Sequence, residues 1–528
     1  MPEKVLTTIK PRKYQQEIYE NCKDKNCLVV LPTGIGKTLI ALMLAINRQK
    51  AVPGSKCVFL APTRPLAEQH LEYFQKHLPE LFAQMELFTG KINAQNRKKL
   101  WERADIIFST PQCISNDLKN NLYSLNDTSL LIEDECHRCL KNYAYTYVAE
   151  KYKEQAENPR ILGLTASPGT DKQTITKIAI NLGIESIELR TRDSEDVKEY
   201  LQELEFNVIN LEYPPEFKNI SDTIRRIYER KVQELKNRRL LFKPANKITL
   251  LETQGNLMRM VRTGKKNFNY FAGIVACAQA IKISHLIELL ETQTLESSLN
   301  YMKNIYQQAS EKKSKASIQI SKNPDFNNGF IKLQELIAKK LEHPKLLQLK
   351  SLIENSIKNN PKNKTIVFSQ YRDTVNKISE ELNKIPGINS EVFVGQAKKT
   401  TKEGKVSGLN QKEQQEIMNK FKQGEINIIC ATSIAEEGLD IPEVNSVIFY
   451  EPIPSAIRSI QRRGRTARLM KGELIILLTK KTLDEIFYFA AIAKEKRMYK
   501  AIENLKKDLD NGKELKLRTK KDPQKKLF

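Results

Sequence analysis

Short runs of consecutive apolar residues, separated by segments in which apolar positions recur every three or four residues, occupy two separate regions of this chain. A strand covered by helices on both faces must be apolar throughout, so both regions read as α/β layers built on parallel sheets. In the first, strands are expected at Cys27–Leu31, Cys57–Ala61, Ile106–Ser109, Ser129–Glu133 and Ile161–Leu164, alternating with helices to about residue 185. In the second they are expected near Thr365–Ser369, Ile426–Ala431, Ser446–Tyr450 and Leu474–Leu478. From Glu216 to about Leu341 the pattern changes to long lysine-rich helical repeats with few turn signals, as in DTIRRIYERKVQELKNRRLLF. It follows an extended break at Tyr213-Pro214-Pro215 and reads as an inserted all-helical domain. The expected division is 1–205, 206–340 and 341–498, with a charged, partly ordered tail over 499–528.

Composition narrows the class. With 528 residues, 28% charged and 40% apolar, the chain suits about three globular domains. Its longest apolar stretches, such as Leu39 to Ile46, fall short of the roughly 20 residues that cross a bilayer, and MPEKVLTTIKPRK lacks a signal-peptide core. No membrane association and a cytosolic location are the expectation. The net charge of +24 points to a polyanion such as nucleic acid, although a general lysine bias in an Asn- and Ile-rich chain accounts for part of it. Eight scattered cysteines read as reduced, buried thiols, because the pairs Cys22/Cys27 and Cys136/Cys139 do not form a zinc pattern. His70, His285 and His343 read as packing or surface residues, and Trp101 as a packing residue.

Candidate chemistry begins at LVVLPTGIGKTLIA. An apolar strand runs into a turn containing Thr33, Gly34 and Gly36, and a helix opens at Lys37-Thr38. Glycines let backbone N–H groups approach an oxyanion, and the helix N-terminus adds partial positive charge. Lys37 would reach the β/γ-phosphates of ATP, and Thr38 would offer its hydroxyl to Mg²⁺. The general pattern G-x-x-x-x-G-K-S/T is missed at Leu31, and P-T-G-x-G-K-T fits instead. Further on, the apolar run Leu130 to Ile132 leads into Asp134-Glu135-Cys136-His137, placing two acids at the C-terminal end of a buried strand. Asp134 would hold the Mg²⁺, Glu135 would orient and deprotonate water, and His137 would read the nucleotide state.

The second α/β region carries IQRRGRTAR, whose cations would face a nucleotide held across a cleft. Charge developing on a γ-phosphate favours a planar guanidinium, so Arg465 and Arg468 are the expected fingers, with Gln461 beside them. In ATSIAEEGLDIPEV, Gly438 and Asp440 would face the ribose and Thr432 a phosphate of the track.

Taken in order, these segments resemble superfamily 2 helicases. PRKYQ would carry the adenine-recognising Gln15, PTGIGKT is similar to motif I, APTRPLAEQH to motif Ia and DECH to motif II. LTASPG, IVFSQYRDT, ATSIAEEGLDIP and QRRGRTAR resemble motifs III to VI. The resemblance implies two RecA-like P-loop domains, ATP and Mg²⁺ as cofactors, and sugar–phosphate contacts at Thr63, Arg64, Thr110 and Thr432. It also implies that Thr165 and Ser167 couple hydrolysis to movement.

NYAYTYVAEKY, FVGQAKK, GLNQKEQ and FYEPIPSAIRSIQRRGRTAR look like the archaeal Hef and FANCM helicases, which act on branched or forked DNA. In that family the helical insertion is thumb-like and the polarity 3′ to 5′. Two departures stand out. DECH replaces the usual DEAH and is typical of the RIG-I and Dicer motors on double-stranded RNA. No ERK-x-x-x-D signature follows motif VI, so no nuclease activity is expected in this chain, and a nuclease in trans or a sliding clamp meeting the terminal QKKLF are candidate partners. The readings carried forward are a DNA helicase, a double-stranded RNA-stimulated ATPase and a non-catalytic nucleic-acid scaffold; oligomeric state is left open.

Overall fold

The computed structural model describes residues 5–32, 34–169, 171–191, 194–200, 204–264, 267–395, 399–400, 406–432, 444–452 and 472–517. The first sheet has seven parallel strands: β1 (Cys27–Val30), β2 (Lys56–Leu60), β3 (Met85–Phe88), β4 (Ile106–Ser109), β5 (Thr128–Asp134), β6 (Ile161–Thr165) and β7 (Ser186–Leu189). Their order is β3-β4-β2-β5-β6-β1-β7, with helices packing both faces. The second sheet combines β8 (Leu204–Leu211), β9 (Thr365–Phe368), β10 (Ser390–Phe393), β13 (Ile428–Ala431), β14 (Ser446–Phe449) and β15 (Gly472–Thr479), in the order β10-β13-β9-β14-β15-β8. A two-strand ribbon, β11 (Lys399–Thr400) and β12 (Val406–Ser407), lies apart from it.

All nine strands expected from the apolar runs form, within a residue or two of the expected bounds. The four larger-sheet strands that those runs did not reveal are β3, β7, β8 and β10, and these are the two edges of each sheet. Their partly exposed positions, such as Glu391 and Val392 of β10, admit polar residues and break the continuous apolar run that marks a central strand.

Two boundaries differ from expectation. Residues 204–211, expected to straddle the first domain and the helical insertion, instead form β8, paired along its whole length with β15. The insertion therefore leaves from and returns to the second α/β unit. Its helices span Pro215–Asn237, Lys247–Arg262, Phe268–Thr292, Leu295–Ser310, Lys315–Ser321 and Pro324–Ala338, around a core including Ile220, Ile224, Ile283, Leu286, Met302 and Phe326. The helix Phe268–Thr292 is long and apolar enough to cross a membrane by composition alone, and it packs beside Pro215–Asn237 in this core.

Polar contacts fasten the insertion to the second unit. Tyr371 donates to Glu288 at 2.7 Å, Lys377 to Glu296 at 2.6 Å, and the Leu483 amide to Glu291 at 2.9 Å. Lys345 donates to the Thr292 carbonyl at 2.6 Å and to Asp484 at 2.8 Å, in a pair with no solvent exposure.

The second boundary lies at the C-terminal side. Residues expected to begin a partly ordered tail at 499 continue the helix Leu483–Asp510. Its last turns bury Met498, Ile502 and Leu505 in the core of the first α/β unit, and Lys172 pairs with Asp508 at 2.7 Å. Apolar residues at positions 498, 501, 502 and 505 make a helical stripe, which the surrounding lysines obscure in composition.

Candidate nucleotide site and nucleic-acid face

In a parallel sheet, ligands gather beyond the C-terminal strand ends. The first sheet brings five relevant loops there. After β1 the chain turns through Gly34 (φ +88°) and Gly36 (φ +79°) into the helix Lys37–Ala51. That helix is buried from Leu39 to Ile46, so its N-terminus is held fixed against the core. Gly36 has a steric as well as a torsional reason, because a Cβ there would lie 2.2 Å from Gln15 Nε2. Gln15 is almost wholly buried; its Nε2 donates to the Ile35 and Gly36 carbonyls at 3.3 and 3.4 Å. Its Oε1 accepts from the Arg12 amide at 2.9 Å, and Tyr14 donates to the Ile35 carbonyl at 2.6 Å. Gln15, expected at adenine, thus also braces the loop. Lys37 folds back to the Leu31 carbonyl at 3.0 Å, and Thr38 follows it in the first turn of the helix.

The second loop follows β5. Asp134 is buried at the strand end, and Glu135 adopts a left-handed conformation with φ +53°. Such a conformation costs a non-glycine residue about 1–3 kcal/mol and here redirects the carboxylate away from the strand. Glu135 lies 3.2 Å from His137 Nδ1. Burial would raise the Glu135 pKa, but the His137 hydrogen bond and charge, with the Lys37 and Arg138 cations, outweigh it and lower it to about 2. Two residues upstream, Glu133 has no such neighbours beyond a weaker Cys139 contact and the Lys153 charge, and burial pushes its pKa well above the usual carboxylate range. Of these two glutamates, Glu135 is the one built to stay ionised.

His137 Nδ1 also meets Thr165 Oγ1 at 3.2 Å, and Thr165 accepts from the Ser167 amide at 3.1 Å. The Thr165 carbonyl accepts from the Leu31 amide at 3.1 Å, which links this third loop to the glycine loop. Ser167 Oγ is buried without a hydrogen-bond partner.

Two further expected contacts sit at the C-terminal end of the same sheet. Thr63 caps the helix Arg64–His77 beyond β2, and Thr110 caps Pro111–Lys119 beyond β4. Thr63 Oγ1 and Arg64 Nε are buried without hydrogen-bond partners, while Arg64 Nη2 lies 3.8 Å from Glu68 Oε1. Thr432 follows β13 in the second sheet, buried, with its amide donating to the Phe393 carbonyl at 3.1 Å. Thr33, Gly438, Asp440, Gln461, Arg465 and Arg468 lie outside the described residues.

His70 was expected to be a packing or surface residue. It instead donates from Nε2 to Asp134 Oδ2 at 3.0 Å. Nothing in a single histidine six residues into a helix signals this partner, 64 residues away; only the adjacency of β2 and β5 does. The cysteines are all buried and unbridged, and Trp101 stacks on Tyr123 at 4.0 Å between ring centroids.

The donor set fits a nucleotide with a hard cation. It offers a hydroxyl at a helix N-terminus, a buried carboxylate, and a lysine at a glycine loop. The buried, unpartnered Ser167 Oγ adds a polar group beside them.

Three family models match successive parts of the chain. These are the type III restriction enzyme res subunit over residues 8–170, the helical bundle of a putative ATP-dependent RNA helicase over 216–364, and the helicase conserved C-terminal domain over 344–470. Among solved structures, the Pyrococcus furiosus Hef helicase domain is 41% identical with a TM-score of 0.69, covering 91% of this chain and 98% of that one. A putative ATP-dependent RNA helicase of Methanocaldococcus jannaschii is 37% identical over 94% of this chain and 61% of its own length. The ATP-dependent DNA helicase mph1 of Neurospora crassa is 33% identical over 89% of this chain and 41% of its own. The mouse Fanconi anemia group M protein homolog is 32% identical over 93% of this chain, which spans only 26% of that relative. With helicase-family models matching in succession and the Hef helicase domain matched over almost its whole length, this chain belongs to the ATP-dependent helicases of superfamily 2, in the Hef and FANCM family.

Proposed function

We propose that this chain is an ATP-driven DNA motor that remodels branched or forked DNA in replication-fork repair and recombination, with 3′-to-5′ polarity. The observation that carries it is the meeting, at one end of one sheet, of Lys37, Asp134 and Glu135 with Thr63, Arg64 and Thr110. Groups for a triphosphate and groups for a sugar–phosphate backbone thus lie on separate loops at the C-terminal end of one sheet. The DNA helicases among the relatives support the choice of nucleic acid.

In this reading Lys37 holds the β/γ-phosphates and Gln15 the adenine. Asp134 and Thr38 hold Mg²⁺, which neutralises phosphate charge when bound. Glu135, kept ionised by His137 and Lys37, takes the proton of the attacking water. Arg465 and Arg468, with Gln461, act from the second unit on the γ-phosphate, while Gly438 and Asp440 meet the ribose. Their contacts favour the closed cleft only while the γ-phosphate is present, so hydrolysis releases it. His137, Thr165 and Ser167 carry that change from the acid pair to the glycine loop. Thr63, Arg64, Thr110 and Thr432 hold the strand through its backbone, without reading sequence. A cytosolic setting suits this activity, as does a clamp or nuclease acting in trans.

Duplex RNA is the second reading, favoured by the helical-bundle model and by the archaeal relative's name. Cys136 does not decide between them. It is fully buried, and a Cβ on Gly163 of β6 would lie 3.1 Å from its Sγ, so this position serves core packing. The test is ATPase stimulation by forked DNA, duplex DNA and duplex RNA, with Lys37→Ala and Glu135→Gln as controls. The strongest stimulation is expected with forks. Stimulation by RNA alone would overturn the DNA reading, and no hydrolysis with any of them would leave a scaffold.

A further inference from the structure

Asp134 is not positioned by its strand alone. Its Oδ2 accepts from His70 Nε2 at 3.0 Å, and both side chains are 11% exposed. His70 belongs to a stripe with Ala67, Phe74 and His77 that the helix Arg64–His77 turns toward the protein interior. Its ring lies 4.4 Å from that of Phe59 on β2. Phe59 in turn packs against Phe74 and Phe108 at 5.9 and 5.5 Å, so the imidazole cannot turn away without disturbing an aromatic cluster. Because β2 and β5 are neighbours, this ring spans from the helix after one strand to the acid ending the next.

The same helix has a second end. Its cap Thr63 and first residue Arg64 carry the buried, unpartnered Oγ1 and Nε atoms. About 9 Å of helix separates Arg64 from His70, less than two turns, a length over which a packed helix moves as one body. A backbone phosphate drawn to Thr63 and Arg64 would displace the helix, and the imidazole would pass that displacement to the carboxylate plane of Asp134. Carboxylates that bind metals are commonly fixed by such outer hydrogen bonds.

We propose that His70 is a positioning residue that orients Asp134 for the divalent cation and makes this orientation responsive to nucleic acid at Thr63 and Arg64. It rests on the reading of Asp134 as the cation's ligand. Hydrolysis stimulated by DNA would then depend on one hydrogen bond that joins the track-binding helix to the nucleotide site.

The experiment compares His70→Leu, which fills similar space with no donor, with His70→Gln, which keeps an N–H donor. Mn²⁺ affinity is read by electron paramagnetic resonance with a non-hydrolysable ATP analogue present; analogue affinity without metal and ATPase with and without forked DNA are measured alongside. The leucine variant is expected to weaken Mn²⁺ binding about 10- to 100-fold, leave metal-free analogue binding unchanged, and lose DNA stimulation more than DNA-free hydrolysis. Glutamine should restore most of both. Wild-type Mn²⁺ affinity in the leucine variant, with Asp134→Asn abolishing it, overturns this proposal alone. Unchanged affinity in Asp134→Asn overturns the cation reading as well. Equal defects in the leucine and glutamine variants overturn the role of the donor.

Discussion

At Gly36, backbone and neighbour demand the same residue. The torsion is φ +79°, and a Cβ would collide with the Gln15 amide. Gly36→Ala is expected to cost about 1–2 kcal/mol in torsion alone and to dislodge Gln15 from the loop, sharply weakening binding of an ATP analogue by calorimetry. Adding Gln15→Ala removes the collision but leaves the torsion and also takes away the proposed adenine contact, so affinity should stay low. At Glu135 the expected outcome is different. Glu135→Gln keeps shape and burial but removes the base, so hydrolysis should fall about 10²- to 10⁴-fold while the analogue still binds. The placement of Lys37 at a helix start and of Asp134 and Glu135 at a strand end was legible in sequence because glycine turns and strand-end acids are contiguous signatures. His70 was not, since its partner is brought near only by strand order.

Among the elements, central strands were legible and edge strands were not. A strand covered on both faces must be apolar at every position, whereas β3, β7, β8 and β10 each border one neighbour and tolerate polar positions. Helix caps give a sharper case in His343. It precedes the helix Pro344–Asn359, its Nδ1 accepts from the Lys345 amide at 3.3 Å, and it is fully buried. Burial and the Lys345 cation push its pKa well below the usual histidine value, so the folded protein keeps it neutral. The unfolded chain takes up a proton below about pH 6.5, and stability is therefore lost as pH falls through that value. His343→Asn retains a cap acceptor without the titration. Relative to the variant, the wild type should lose about 1.4 kcal/mol per pH unit between pH 6 and 5, read as melting temperatures that converge or cross.

For the whole molecule, the insertion is tied to the second α/β unit where its Thr292 carbonyl accepts from Lys345, whose other partner is the buried Asp484. Removing one partner strands a charge, so Asp484→Leu should cost about 3–5 kcal/mol, and Lys345→Met with Asp484→Leu should recover much of it in denaturant melts. The same bonding makes deletion of the insertion a poor test of its role on forks. Charge reversal at exposed Arg259 and Arg262, on the helix Lys247–Arg262, leaves those contacts intact. It is expected to lower affinity for forks more than for single strands in anisotropy titrations. The helix Leu483–Asp510 starts at this joint and ends in the core of the first unit. Ile502→Asp should release its last turns, detected as faster amide exchange there and on the helix Lys172–Leu182 packed against it.

By itself the sequence determined two parallel-sheet units, a helical insertion, a glycine turn opening a helix and an acid pair at a strand end. Each of these is written in contiguous residues whose periodicity or local chemistry is sufficient. Only the tertiary structure decided that the insertion hangs from the second unit, that the last helix returns to the first, and that His70 holds Asp134. Those facts depend on which strands become neighbours and which faces meet, and they join residues tens to hundreds of positions apart that leave no local pattern.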